Sequence, residues 1–204
     1  SADFVLILNR VRQPHLFFLP RGRVWGVVQE PPNEIFYPMH RGQVSMGRVY
    51  NQDKSSSSGW TQKILSPPLI PWFVDMSHSE AVHLEPVDKT IELSCITSKT
   101  KFFSGHQDRS RILQIGMSVF PEMQVFGRGI REISEKSDVL LPSRYSLVLE
   151  NGCYNNYFTE KLFDSILCWS VPIYRGAPNI LEYFPRDSLI LIDDTEDSMR
   201  AAKA

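Results

Sequence analysis

The chain reads as an α/β protein of parallel sheets covered by helices. Two observations predict that class. From Ser104 to Tyr174, apolar runs of strand length alternate with longer segments whose apolar residues recur at helical spacing, the pattern of a parallel sheet with helical crossovers. Apolar strand-like runs also stand near both ends, at Ala2–Leu8 and Ser188–Asp193. A length of 204 residues allows a sizeable core and one or two domains.

The elements follow in order. Residues 2–8 read as a buried strand, and Leu16–Leu19 as a short apolar patch. Val24–Val28 reads as a strand stopped by Pro31 and Pro32, which places Glu30 at its carboxyl edge, because proline cannot donate to a sheet ladder. Val44–Tyr50 is a further short strand, and Asp53–Gly59, with four consecutive serines, is an exposed loop. The proline-rich run Pro67–Phe73 suits a crossing between domains. We therefore expect a partial amino-terminal domain over 1–78 and a carboxyl-terminal domain over 79–204. In the latter, Val82–Lys89 is linker or strand, and Thr100–Phe103 leads into Ser104-Gly105-His106. Asp108 is placed to cap a helix through about Phe120, with Ile112, Leu113, Gly116, Met117 and Phe120 as its apolar face. Met123–Phe126 is a strand closed by Gly127-Arg128-Gly129, and Ser146–Leu149 is another. Thr159 precedes a helix whose buried side carries Leu162, Phe163, Ile166 and Leu167, and Val171–Tyr174 is the next strand.

Composition narrows the function classes. Basic residues number 22 against 23 acidic, for a net charge of -1, which offers no broad attraction for nucleic acid. The three cysteines, Cys95, Cys153 and Cys168, lack metal-ligand spacing and read as buried small residues of a reduced compartment. No apolar run reaches the length of a membrane span and no signal peptide opens the chain. A soluble, reduced cytoplasmic setting is the expectation, with peripheral membrane association only in a longer form.

Chemistry concentrates in Leu149-Glu150-Asn151, six intervening residues and Phe158-Thr159-Glu160-Lys161, continuing into Val171–Gly176. Ligands of open α/β sheets settle beyond strand carboxyl ends, where helix starts offer free N–H groups to anions. Arg111 and Lys161 fall near two such helix starts and suit a shared polyanion. Gly127 permits close backbone approach, and Glu150, Asn151 and Tyr157 offer polar partners for sugar hydroxyls. Each feature has a plainer reading: Arg111 as a solvated surface charge, Glu150 and Glu160 as partners of Lys161, and Thr159 as an ordinary cap. His106 and Asp108 form no metal pattern with the other histidines.

The stretch Glu150-Asn151 to Tyr157-Phe158-Thr159-Glu160-Lys161, with Val171-Pro172-Ile173-Tyr174-Arg175-Gly176-Ala177-Pro178 and Tyr183-Phe184-Pro185 after it, resembles the donor-site signature of the GT10 alpha-1,3/1,4-fucosyltransferases. The resemblance runs from about Ser98 to Asp193. Upstream, Val27-Val28-Gln29-Glu30-Pro31-Pro32 is similar to the acceptor-side segment of that family. The resemblance implies a GT-B-type glycosyltransferase with two Rossmann-like domains, incomplete at both ends here, and GDP-fucose bound by the carboxyl-terminal one. It implies inverting transfer of fucose to a glycan hydroxyl, with an oligosaccharide or glycoconjugate acceptor and no tightly bound cofactor. Glu30 would be the general base, Arg111 and Lys161 would hold the diphosphate, and Asn151, Tyr157, Thr159 and Glu160 would complete the donor pocket beside Glu150 and Gly127. The absence of an Asp-x-Asp metal motif fits charge neutralisation by side chains, with at most weak assistance from a divalent cation. The alternative is a nucleotide-sugar binding module or a degenerate, inactive transferase.

Overall fold

The computed structural model describes residues 3–9, 18–36, 46–53, 61–98 and 104–203, the side chains of 104–107 excepted. The expected features at Leu16–Leu19, Asp53–Gly59 and Thr100–Phe103 lie wholly or partly outside those residues. Two compact units account for the chain. The first comprises residues 1–70 with the loop segments Gly152–Thr159 and Ala177–Ile180, and the second comprises Pro71–Asn151, Glu160–Gly176 and Leu181–Ala204. The chain passes from one to the other at Ile70–Pro71, inside the proline-rich run.

The first unit holds a four-stranded parallel sheet, β1 (Val5–Leu8), β2 (Val24–Val27), β3 (Arg48–Asn51) and β4 (Gln62–Leu65), in the order β1-β2-β3-β4. Leu6 pairs with Trp25, Trp25 with Arg48, and Arg48 with Gln62. Val27, Val28 and Val49 are its buried centre. β1 is an edge strand, and the expectation that it is buried needs correction: Leu6 and Leu8 remain 58% and 51% exposed. β4 was not expected, because Gln62 and Lys63 at its start conceal the strand pattern. The strand expected over Val44–Tyr50 starts at Arg48.

The second unit holds β5 (Ile91–Ile96), β6 (Gln124–Phe126), β7 (Ser143–Leu149), β8 (Val171–Arg175) and β9 (Ile190–Leu191), all parallel, in the order β6-β5-β7-β8-β9. Its helices are α1 (His78–Val82), α2 (Ser104–Val119), α3 (Ser137–Leu140), α4 (Glu160–Leu167) and α5 (Glu196–Ala201). Val82–Lys89 is neither the expected strand nor only linker. It contains the end of α1, and the strand begins at Ile91. α1 forms because Ser77 and Glu80 make a reciprocal capping box: the Ser77 hydroxyl accepts the Glu80 N–H and the Glu80 carboxylate accepts the Ser77 N–H at 2.7 Å.

α2 starts at Ser104, so Asp108 sits inside the helix rather than capping it. Among its described side chains Arg109, Ile112, Gly116 and Val119 are buried, at a spacing of three, four and three, one face of a helix. That face packs on Leu93, Cys95, Leu147, Leu149 and Ile173 of the sheet, with Met199 of α5 closing the core. Gly116 allows the close approach, since a Cβ there would stand 3.2 Å from a Leu147 methyl carbon. Val74, Leu140 and Cys168 form a smaller cluster in the same unit. Cys95 and Cys168 are buried as expected, whereas Cys153 is exposed. No described helix is long and apolar enough to cross a membrane.

Candidate functional site

In the order β6-β5-β7-β8-β9 the chain steps to one side of β5 to make β6, then returns to the other side for β7. The connections leaving β5 and β7 therefore diverge, and a crevice opens at the carboxyl ends of these two strands. A cavity of about 340 Å³ occupies that place, within the range of small-molecule sites. Its floor is the end of β7, Ser146–Leu149, and one wall carries Ile96 to Ser98 from the end of β5. Gly127 and Arg128 follow β6 into the wall, and α4 contributes Glu160, Lys161 and Asp164.

α2 presents Arg109 to this cavity, not Arg111. Arg109 is 9% exposed, and its Nη1 donates to Asn151 Oδ1 at 2.7 Å. Arg111 lies two residues further round the helix, and its side chain is 53% exposed. It donates to the Asp194 carbonyl at 3.2 Å and pairs with the Asp194 carboxylate at 3.5 Å. The same carboxylate takes a two-point grip from Arg175, including Nη2 to Oδ2 at 2.9 Å. Arg175 holds the Asp194 carboxyl below its ordinary range, first through that hydrogen bond. Arg111 thus belongs to a clip between α2 and the loop after β9, and it is Arg109, not Arg111, that lines the cavity.

Lys161 stands in the first turn of α4 with its Nζ 3.5 Å from Glu150 Oε2 and 3.4 Å from Glu160 Oε1. Burial pushes its ammonium pKa down, but Glu150 and Glu160 outweigh that and leave it raised. Glu150 is fully buried, and its backbone N–H donates to the Arg175 carbonyl at 3.0 Å. Gly176 makes room for it: a Cβ there would collide with the Tyr174 hydroxyl and stand 2.7 Å from Glu150 Cγ. Gly127 has φ 118°, and the space its Cβ would need holds the Thr97 carbonyl oxygen. Its role is thus to let two strand ends meet in the cavity wall.

The remaining expected residues belong to the first unit. Tyr157 and Thr159 are each 2% exposed in the first unit, where Tyr157 meets Tyr154 edge-on at 6.4 Å. Glu30 follows β2 in the first unit and is half-buried. Among the described residues no group of histidine, cysteine and carboxylate side chains could hold a metal ion.

Sequence reasoning missed Arg109, Lys136 and Asp164. Asp164 is 1% exposed; its Oδ1 accepts the Phe73 N–H at 2.7 Å and its Oδ2 accepts from Lys136 Nζ at 2.6 Å. Burial pushes its carboxyl pKa up against those bonds. The signal for Arg109 was present, since it stands three residues before Ile112 on the expected apolar face.

Residues 88–204 match the family model described as glycosyltransferase family 10 (fucosyltransferase), carboxyl-terminal part. A fucosyltransferase-like protein of Arabidopsis thaliana is 40% identical over 70 residues, which cover 34% of this chain and 14% of the relative. The 4-galactosyl-N-acetylglucosaminide 3-alpha-L-fucosyltransferase 9 of Cricetulus griseus is 33% identical over 89 residues, covering 40% of this chain and 24% of the relative. The matched stretches span a quarter or less of these curated relatives. An alpha1,3-fucosyltransferase solved with GDP superposes with a TM-score of 0.57 at 15% identity, over 98% of this chain and 65% of that one. One solved with GDP-fucose gives 0.55 at 15% identity, over 88% and 64%. At such identity the likeness is one of fold, the GT-B type with parallel sheets and flanking helices. Because the family model covers more than half of the chain, this protein belongs to glycosyltransferase family 10, the fucosyltransferases.

Proposed function

We propose that the protein transfers fucose from GDP-fucose to a glycan hydroxyl with inversion at the anomeric carbon, and that the cavity of the second unit holds the donor. The convergence of Arg109 and Lys161 on the switch-point cavity carries this reading. A buried guanidinium and an ammonium kept charged by two carboxylates suit a diphosphate. The same two groups offset the negative charge that grows on GDP as the glycosidic bond breaks. Arg109 takes the role that the sequence suggested for Arg111. Asn151 acts on the donor through Arg109, whose guanidinium it orients.

In this proposal the acceptor oxygen attacks the face of the anomeric carbon opposite the diphosphate. Its proton passes to the Glu30 carboxylate as the new bond forms. One displacement inverts configuration, so no protein nucleophile is required. General-base help of this kind contributes about 100- to 10,000-fold in rate.

A second reading, a nucleotide-sugar binding module without turnover, draws support from the family match, which covers residues 88–204 and not Glu30. Glu30→Gln separates the two. Incubation of the full chain with GDP-fucose and a panel of glycan acceptors should yield fucosylated product and free GDP. E30Q should lose turnover by about 100-fold or more while binding GDP like wild type. Full turnover in E30Q would remove Glu30 as the base. GDP binding with no transfer in wild type would favour the binding module.

A further inference from the structure

Resting on the donor-site reading above, we propose that Lys136 is a positioning residue of the cavity, anchored by buried Asp164 and acting through Glu160 to fix Lys161 where it meets the diphosphate. The arrangement begins in α4. Glu160 and Asp164 are four residues apart and therefore share one face of the helix, while Lys161 stands beside Glu160. Lys136 reaches that face from the residue before α3, whose Val139 and Leu140 are buried and fix its base.

The distances form a chain of alternating charge. Asp164 Oδ2 is 2.6 Å from Lys136 Nζ, and that Nζ is 3.8 Å from Glu160 Oε1. The same Glu160 oxygen is 3.4 Å from Lys161 Nζ, which is 3.5 Å from Glu150 Oε2. One carboxylate oxygen is thus held between two ammonium groups. Asp164 is itself pinned by the Phe73 N–H at 2.7 Å, and the Lys136 ammonium lies 5.4 Å from the Phe73 ring centroid. Lys136 is therefore contacted from three sides.

With Lys136 gone, the Glu160 carboxylate would have Lys161 as its one ammonium and would draw it away from the ligand. Interactions at these separations are strong because the wall is mostly withdrawn from water.

Calorimetric titration of the full chain with GDP and with guanosine tests this, using wild type, Lys136→Met, Lys136→Arg, Glu160→Gln and the K136M/E160Q double variant. K136M should weaken GDP binding by about tenfold, one charge-pair's worth, while guanosine affinity stays at the wild-type value. K136R should recover most of the loss. In the E160Q background K136M should add no further loss, because the path through Glu160 is already cut. If K136M does not fold, K136M/D164N removes the ammonium together with the carboxylate it would leave buried and unpaired, and should show the same selective loss of GDP. Unchanged GDP affinity in these variants, an equal loss of guanosine, or additive effects of K136M and E160Q would overturn the proposal. Absence of GDP binding in wild type would overturn the donor-site reading first, and is distinguishable for that reason.

Discussion

Arg109 Nη1 donates to Asn151 Oδ1 at 2.7 Å, so the buried face of α2 is tied to the second residue after the buried end of β7. The bond spans 42 positions of sequence and aims a guanidinium across the cavity before any ligand arrives. Removing the acceptor by Asn151→Ala should leave Arg109 charged but loose. GDP affinity should fall by about 3- to 10-fold, the net worth of one ordinary hydrogen bond, measured by calorimetry with the melting temperature as control for folding.

Glu150 is buried without exposure and lies 3.5 Å from Lys161. The Lys161 ammonium is pushed down by burial and raised more by Glu150 and Glu160, for a net rise above the ordinary value of 10.5. A raised pKa contributes stability that is complete below that ordinary value and is lost as pH rises through the folded-state value. In Glu150→Gln the upper edge should move to lower pH. GDP affinity followed from pH 7 upwards should decline earlier in E150Q than in wild type. Superimposable profiles would separate Glu150 from the charge state of Lys161.

Asp194 joins Arg175 and Arg111, and Arg175 depresses its carboxyl below the ordinary 3.8. The sign here is opposite. Its contribution is complete above that ordinary value and is lost as pH falls through the depressed one. Thermal melting from neutral pH into acid should show wild type losing stability over that range, with Asp194→Asn flatter and already lower at neutral pH. Arg111→Ala should lower the melting temperature slightly and leave GDP binding within about twofold, as an exposed pair does.

Much of the second unit was legible in the sequence because its strands are apolar and its helices amphipathic. α4 and β8 fall where their patterns place them and β7 ends where expected, at Leu149, though it starts three residues earlier at Ser143. β5 was obscured because Glu92 and Ser94 interrupt its apolar run. Reading Asp108 as the cap of α2 put Arg111 in its first turn, whereas the helix already runs from Ser104 and it is Arg109 that shares the buried face of Ile112. Lys136 and Asp164 were hidden for a different reason. They are 28 positions apart, and nothing local marks an aspartate on a buried helix face as the partner of a lysine on another element. Glu30 was expected to follow a strand and precede two prolines, and it does follow β2, in a half-buried position; its role remains a proposal.

The central claim is that the second unit grips the diphosphate of a GDP-sugar with Arg109 and Lys161. Calorimetric titration of GDP into the full chain and its Arg109→Ala and Arg111→Ala variants tests it most directly. The account predicts one saturable site in wild type, weakened by salt, with affinity about 10- to 100-fold lower in R109A, as for loss of a charge-assisted contact, and nearly unchanged in R111A. Equal affinity in R109A and wild type, or a loss confined to R111A, would contradict it.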